Sequence, residues 1–101
     1  VARSVQFHPL ARADLFDLYD YIERRSGSER AGAYLDRIQR LCTSLADFPE
    51  RTVPRDDLLP GLRTVALDRR VLIALTVTEP VVTILRVLYA GRDLSAQDVL
   101  F

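Results

Sequence analysis

The stretch Ile84-Leu85-Arg86-Val87-Leu88-Tyr89-Ala90-Gly91-Arg92-Asp93 decides how this chain is read. A near-continuous apolar run carries one arginine in its middle and closes on a tyrosine and an Ala-Gly-Arg-Asp turn. A strand this apolar belongs inside a fold, and a charge within it is costly unless it finds a partner. Arg86 therefore has two candidate roles. It pairs with a carboxylate of its own chain, for which Asp93, Asp56 and Asp57 are candidates, or it points into a surface that something else occupies.

Working back from this stretch, the period remains that of strands as far as Leu62. Val81 to Tyr89, Val71 to Thr78 and Leu62 to Leu67 read as three strands, with Glu79-Pro80 and Asp68-Arg69 as the turns between them. Such short connections make an antiparallel meander. Val71, Ile73, Leu75 and Val77 fall on one face of the middle strand, and Leu72 and Ala74 on the other. In the last strand, strict alternation puts Leu85 and Val87 on one face and Val82, Ile84, Arg86 and Leu88 on the other. An antiparallel sheet with one solvated face should alternate apolar with polar, and these strands do not. The second face calls for cover by the tail from Leu94 to Phe101, by a symmetric copy, or by a partner segment, and the partner segment is the expectation.

Further upstream the period is helical. Val5-Gln6-Phe7 reads as a short strand, and His8-Pro9 starts a helix with His8 as a weak cap. Leu15, Leu18, Tyr19 and Ile22 carry that helix to about Arg25. Its charges, Arg12, Asp14, Asp17, Asp20 and Arg24, read as a solvated face. Ser26-Gly27-Ser28 breaks the pattern, and Ser28 is the expected cap of a second helix with Glu29 in its first turn. Ala31, Tyr34, Leu35, Ile38, Leu41, Cys42 and Leu45 trace one face of that helix to near Asp47. So close a pair of helices must fold back as an αα-hairpin. Glu50 to Gly61 reads as a polar loop, long enough to suggest that it contacts something. The expected fold is α+β: one domain over residues 1–101, with an N-terminal strand and αα-hairpin packed on one face of a mainly antiparallel sheet that ends in a three-stranded meander.

Composition narrows the function classes. The chain has 101 residues, 49% of them hydrophobic and 28% charged, which is the balance of an ordered domain and not of a disordered tail. Net charge is zero, so a surface built for tight phosphate contact along a nucleic acid is not expected. Every basic side chain among the 14 is arginine, whose planar fork suits carboxylate and phosphate pairing. Cys42 is the only cysteine and reads as a buried thiol. There is no Cys/His cluster, Gly-rich phosphate loop or paired-carboxylate motif, so no metal and no cofactor is expected. With no signal-peptide pattern and no apolar run of transmembrane length, the expected location is the bacterial cytoplasm, without membrane contact.

Several words in this order resemble the ParE/RelE superfamily of toxins from type II toxin–antitoxin modules, and its ParE branch of plasmid stabilisation proteins in particular. They are Phe7-His8-Pro9 with Ala11, Asp14 and Leu15; Tyr19-Asp20-Tyr21-Ile22; Leu45-Ala46-Asp47-Phe48-Pro49; Arg55-Asp56-Asp57-Leu58; Pro60-Gly61-Leu62-Arg63; and the opening stretch. The chain departs from the family at Tyr89, where histidine is usual. It departs also at Ile73-Ala74-Leu75-Thr76, where an aromatic and an arginine are common, and at Arg69-Arg70. The resemblance implies a toxin neutralised by a cognate antitoxin in a hetero-oligomer. That antitoxin would carry a ribbon-helix-helix DNA-binding N-terminus, so that operator DNA is reached only through it, and would bind by helix-in-groove or strand addition.

Two activities are compatible with that resemblance. ParE-like members poison DNA gyrase, and RelE-like members cut mRNA on the ribosome. Metal-free RNA cleavage needs a base, an acid and cations for the phosphorane. Arg63, Arg86 and Arg92 are the candidate cations and Tyr89 the candidate acid, but His8, the only histidine, lies at the far end of the sequence. The reading adopted from sequence is a non-enzymatic gyrase inhibitor. Arg63, Arg69, Arg70, Ile84, Arg86, Leu88, Tyr89 and Arg92 are its candidate antitoxin- or target-binding residues. The alternatives are a ribosome-dependent endoribonuclease and a degenerate module that only binds its antitoxin.

Overall fold

A computed structural model describes residues 3–89 and 95–99. A five-stranded sheet of order β1-β5-β4-β3-β2 carries two long helices. The strands are β1 (Ser4–Phe7), β2 (Val53–Pro54), β3 (Leu62–Leu67), β4 (Val71–Thr78) and β5 (Val81–Tyr89). The helices are α1 (Pro9–Ser26), α2 (Ser28–Ser44) and a terminal turn, α3 (Ala96–Val99). β1 runs parallel to β5, and every other pair is antiparallel.

The elements begin and end for local reasons. Pro9 opens α1 with its φ already helical, and His8 Nδ1 accepts from the Leu10 amide at 3.1 Å, relieving one of the four unpaired amides at a helix start. Gly27 is the whole joint between α1 and α2. Its amide donates to Glu23 O at 2.9 Å and its φ is +91°, where any side chain would be strained. The expected cap at Ser28 is therefore displaced by one residue, since Ser28 is already helical and Gly27 takes the cap position. Between β3 and β4, Asp68 and Arg69 both take positive φ (54° and 57°), and Arg37 holds the Asp68 carboxylate at 2.9 Å.

Beneath the helices lies the larger core. Ala11 and Leu18 of α1 and Ile38 and Cys42 of α2 pack with Ile73 and Leu75 of β4 and Val82 and Ile84 of β5. Burial pushes the Cys42 thiol up to about 12, so it stays protonated at any ordinary pH.

The last strand corrects the expected alternation. Ile84 lies opposite Leu75 and Arg86 opposite Ala74, so Leu85 is an extra residue in a β-bulge. The bulge swaps the faces beyond it. Val82, Ile84, Val87 and Tyr89 pack on the helix side, while Leu85 and Leu88 turn to the opposite side.

That opposite side has its own small core. Leu62, Ala74, Leu85 and Leu88 are buried there against Val99 of α3, with Leu58 and Leu59 packed at the margin. The chain's own tail and loop cover this face, in place of the partner segment expected from sequence. The loop from Glu50 to Gly61 is correspondingly ordered. Residues Val53 and Pro54 pair with Thr64 and Arg63 as an edge strand, and Asp56 Oδ1 accepts from the Gly61 amide at 2.9 Å. A two-residue strand containing proline gives no periodic signal, and for that reason the sequence reading does not contain it.

Arg86 ties these layers together. Its Nε and Nη2 form a two-pronged bond to Asp14 of α1, at 2.7 and 2.9 Å, and its Nη1 donates to Asp98 O of α3 at 3.1 Å. Asp14 Oδ2 also accepts from the Val87 amide at 2.9 Å. That amide lies past the end of β1, whose last backbone bond to β5 runs from His8 N to Ile84 O. The partner is thus Asp14, not Asp93, Asp56 or Asp57, and Asp14 leaves the solvated face assigned to it. Asp93 lies outside the described residues.

With side-chain exposures of only 15% and 13%, the Arg86–Asp14 pair is not screened like a surface bridge. Arg86→Ala strands a buried carboxylate and is expected to destabilise the fold by about 2–4 kcal/mol. For a domain of this size that lowers Tm by roughly 10–20 °C in a thermal melt. A superimposable melting curve would refute a structural role for the pair. Cys42 is expected to resist a disulfide-exchange reagent at pH 8 in the native protein and to react fully in denaturant; rapid native labelling would contradict its burial.

Candidate binding site

The Gly27 joint places the last turns of α1 beside the first turns of α2, and the register Val71↔Tyr89 brings the β3–β4 turn to the end of β5. These two ends enclose a depression of about 400 Å³ lined by Tyr21, Ile22, Arg25, Ser26, Arg30, Tyr34, Arg70 and Tyr89. Tyr89 is its centre. Its ring meets Tyr21 edge-on at 5.1 Å and Tyr34 at 6.4 Å, arrangements that aromatic quadrupoles favour. The Arg25 guanidinium lies over the Tyr21 ring at 4.4 Å.

The charged residues that line this site are all arginines. Arg25, Arg30 and Arg70 form no ion pair with any described residue, although four other arginines of the chain do. The Tyr34 hydroxyl is buried and has no hydrogen-bond partner among the described residues. Burial pushes its pKa up, with the Asp68 charge adding to the effect, so it remains a neutral donor. An unsatisfied buried hydroxyl is unusual in a folded domain. Chemically, the depression offers three cations, phenolic donors and ring surface.

A second surface feature is apolar. Arg12, Leu15, Phe16, Tyr19 and Leu35 line a groove of about 380 Å³ on the outside of the hairpin, and Phe16 is 74% exposed there. Among the described residues no group of His, Cys, Asp and Glu is arranged to hold a metal ion. No helix of the described residues is long and apolar enough to cross a membrane.

A family model described as the ParE toxin of type II toxin-antitoxin system, parDE, matches residues 5–94. The chain belongs to the ParE toxin family. Among solved structures it is similar to a chain of the chromosomal ParDE TA system from P. aeruginosa. The two share 26% identity over 88% of this chain and 97% of that one, with a TM-score of 0.77. It has the same fold as a chain of the RelBE2 toxin–antitoxin complex from Mycobacterium tuberculosis, at 22% identity over 89% and 100% of the two chains and a TM-score of 0.68. No match is found among curated proteins.

The ParE-like fold distributes the candidate residues unevenly. Arg70 and Tyr89 meet in the depression, while Arg69 is exposed at the neighbouring turn. Ile84 and Leu88 are core side chains on opposite faces of the sheet, so neither presents surface to a partner. Arg86 is committed to Asp14 and Asp98. Arg63 is committed as well, with Nε donating to Thr52 Oγ1 at 2.5 Å and Nη2 to Thr52 O at 2.7 Å, which fastens the start of the edge strand. Arg92 lies outside the described residues.

Tyr21, Arg25, Arg30 and Tyr34 line the depression without being among the sequence-derived candidates, where Tyr34 is read only as part of the apolar face of the second helix. A signal for them exists. Tyr21 and Arg25 are four apart, Arg30 and Tyr34 are four apart, and the pairs mirror each other across Gly27, so an αα-hairpin must bring them together. Tyr34→Phe removes the orphaned hydroxyl and is expected to raise stability by about 1 kcal/mol, or roughly 4–8 °C in Tm. A lower Tm would mean that the hydroxyl is already satisfied.

Proposed function

We propose that this toxin acts by binding DNA gyrase and is held inactive by a cognate antitoxin in a hetero-oligomeric complex. The observation that carries the reading is the make-up of the depression. Its polar lining is guanidinium, phenol and one serine hydroxyl, which can bind an anionic or hydrogen-bonding surface. RNA cleavage would require a base in the same place. Tyr34 is shifted away from ionisation, and His8 caps the opposite end of α1, thirteen residues or about 20 Å of helix from Tyr21.

Antitoxin neutralisation is supported by the company the fold keeps, since the two solved structures described above come from toxin–antitoxin systems. The groove around Phe16 is the apolar surface such a partner would bury. A net charge of zero fits a toxin that reaches operator DNA through a ribbon-helix-helix antitoxin and not by itself. A bacterial cytoplasmic location follows from the proposed target.

One preparation decides between targets. Purified toxin is expected to inhibit gyrase supercoiling while leaving ribosome-bound mRNA intact, and its expression without antitoxin to cause filamentation. Cleaved mRNA with unaffected supercoiling would establish the nuclease reading instead. Antitoxin binding with neither activity would identify a degenerate module.

A further inference from the structure

We propose that the depression between the Gly27 joint and the end of β5 binds a nucleoside polyphosphate. Arg25, Arg30 and Arg70 would hold the phosphates, Tyr34 Oη would donate to a phosphate oxygen, and the rings of Tyr21 and Tyr89 would carry the base. The inference rests on reading this depression as a surface that binds without cleaving.

Three arginines line one depression, none of them in an ion pair with a described residue, and no carboxylate is part of that lining, although Asp68 lies near enough to act on Tyr34. Cations gathered without counter-charge repel one another, and a multivalent anion is what relieves that repulsion. The Tyr34 hydroxyl supplies an independent sign. Its oxygen is buried, neutral and unpartnered, and the tyrosine that carries it lines the same depression, so a ligand reaches it with a small turn of the side chain. A bound oxygen acceptor would remove the penalty of leaving it so.

Size and surroundings choose among anions. About 400 Å³ lies within the range of pockets that hold small ligands and exceeds what an isolated phosphate fills. Ring surface beside the cations suits a planar base, and stacking on tyrosine does not depend on which base it is. A long polynucleotide is disfavoured because the chain as a whole is neutral and lacks the extended basic track that a polymer backbone requires. Charge concentrated in one place, on a molecule of one place's size, describes a nucleoside di- or triphosphate.

Titration calorimetry on the purified full chain, without magnesium, tests this with ATP, ADP, AMP, tripolyphosphate and a ten-nucleotide single-stranded oligonucleotide. ATP is expected to bind at least fivefold more tightly than AMP and more tightly than tripolyphosphate. Arg30→Ala and Arg70→Ala are each expected to weaken ATP at least fivefold. Arg40→Ala, on the outer face of α2, should leave it unchanged. Tyr34→Phe should weaken ATP severalfold while raising Tm, a combination that damage to the fold cannot produce. Absence of ATP binding at millimolar concentration overturns the proposal, as does equal affinity for tripolyphosphate, or tighter binding of the oligonucleotide than of ATP. Gyrase inhibition is read in a separate assay. A toxin that inhibits gyrase but ignores nucleotides refutes this inference alone, and one that binds ATP but spares gyrase refutes only the proposed target.

Discussion

The bond from Arg86 to Asp14 is the constraint on which the rest of this fold depends. β1 stops at Phe7, and from there on β5 has a free edge. Asp14 closes that edge by accepting from the Val87 amide, and in doing so brings a carboxylate into the layer between helix and sheet. Arg86 then neutralises it and spends a remaining donor on Asp98 O of the tail. Remove the arginine, and the carboxylate that completes the edge becomes the liability. One side chain thus couples the position of α1, the end of the sheet and the docking of α3.

The bulge at Leu85 is the second half of the same arrangement. It lets Tyr89 face the helices while Leu88 faces the small core under Val99. Without it, the apolar run of β5 would present its two ends to the wrong layers. A domain of this size has little interior, and it obtains a second core by folding Val99 of the tail and two loop leucines over the back of the sheet. At the hairpin end the packing against Tyr89 is aromatic, with Tyr21 and Tyr34 edge-on to its ring.

Periodicity made most elements legible. Leu62–Leu67, Val71–Thr78 and Val81–Tyr89 stand where alternation and the turn residues place them, because each is long and bounded by Asp68-Arg69 or Glu79-Pro80. What periodicity cannot carry is a change of phase or a contact across distant sequence. The bulge is a phase change, invisible when both faces are apolar. Asp14 sits seventy-two residues from Arg86 and looks like any solvated helix acid until β1 is seen to be too short. In the site, Arg70 and Tyr89 were readable as chemistry at strand ends, whereas Tyr21, Arg25, Arg30 and Tyr34 needed the hairpin closed over Gly27. The resemblance to ParE toxins supplied the fold and the family. It did not supply the cluster, because Tyr89 is itself a departure from the pattern.

The edges of the sheet carry one more implication. On one side β1 offers only four residues, and beyond it a carboxylate already occupies the next amide of β5. On the other side the edge is β2, two residues long, and Pro54 has no amide to donate. Both margins are therefore short or interrupted, with β2 covering only Arg63 and Thr64 of the six-residue β3, and such blunted edges make a poor template for pairing one long sheet edge with another.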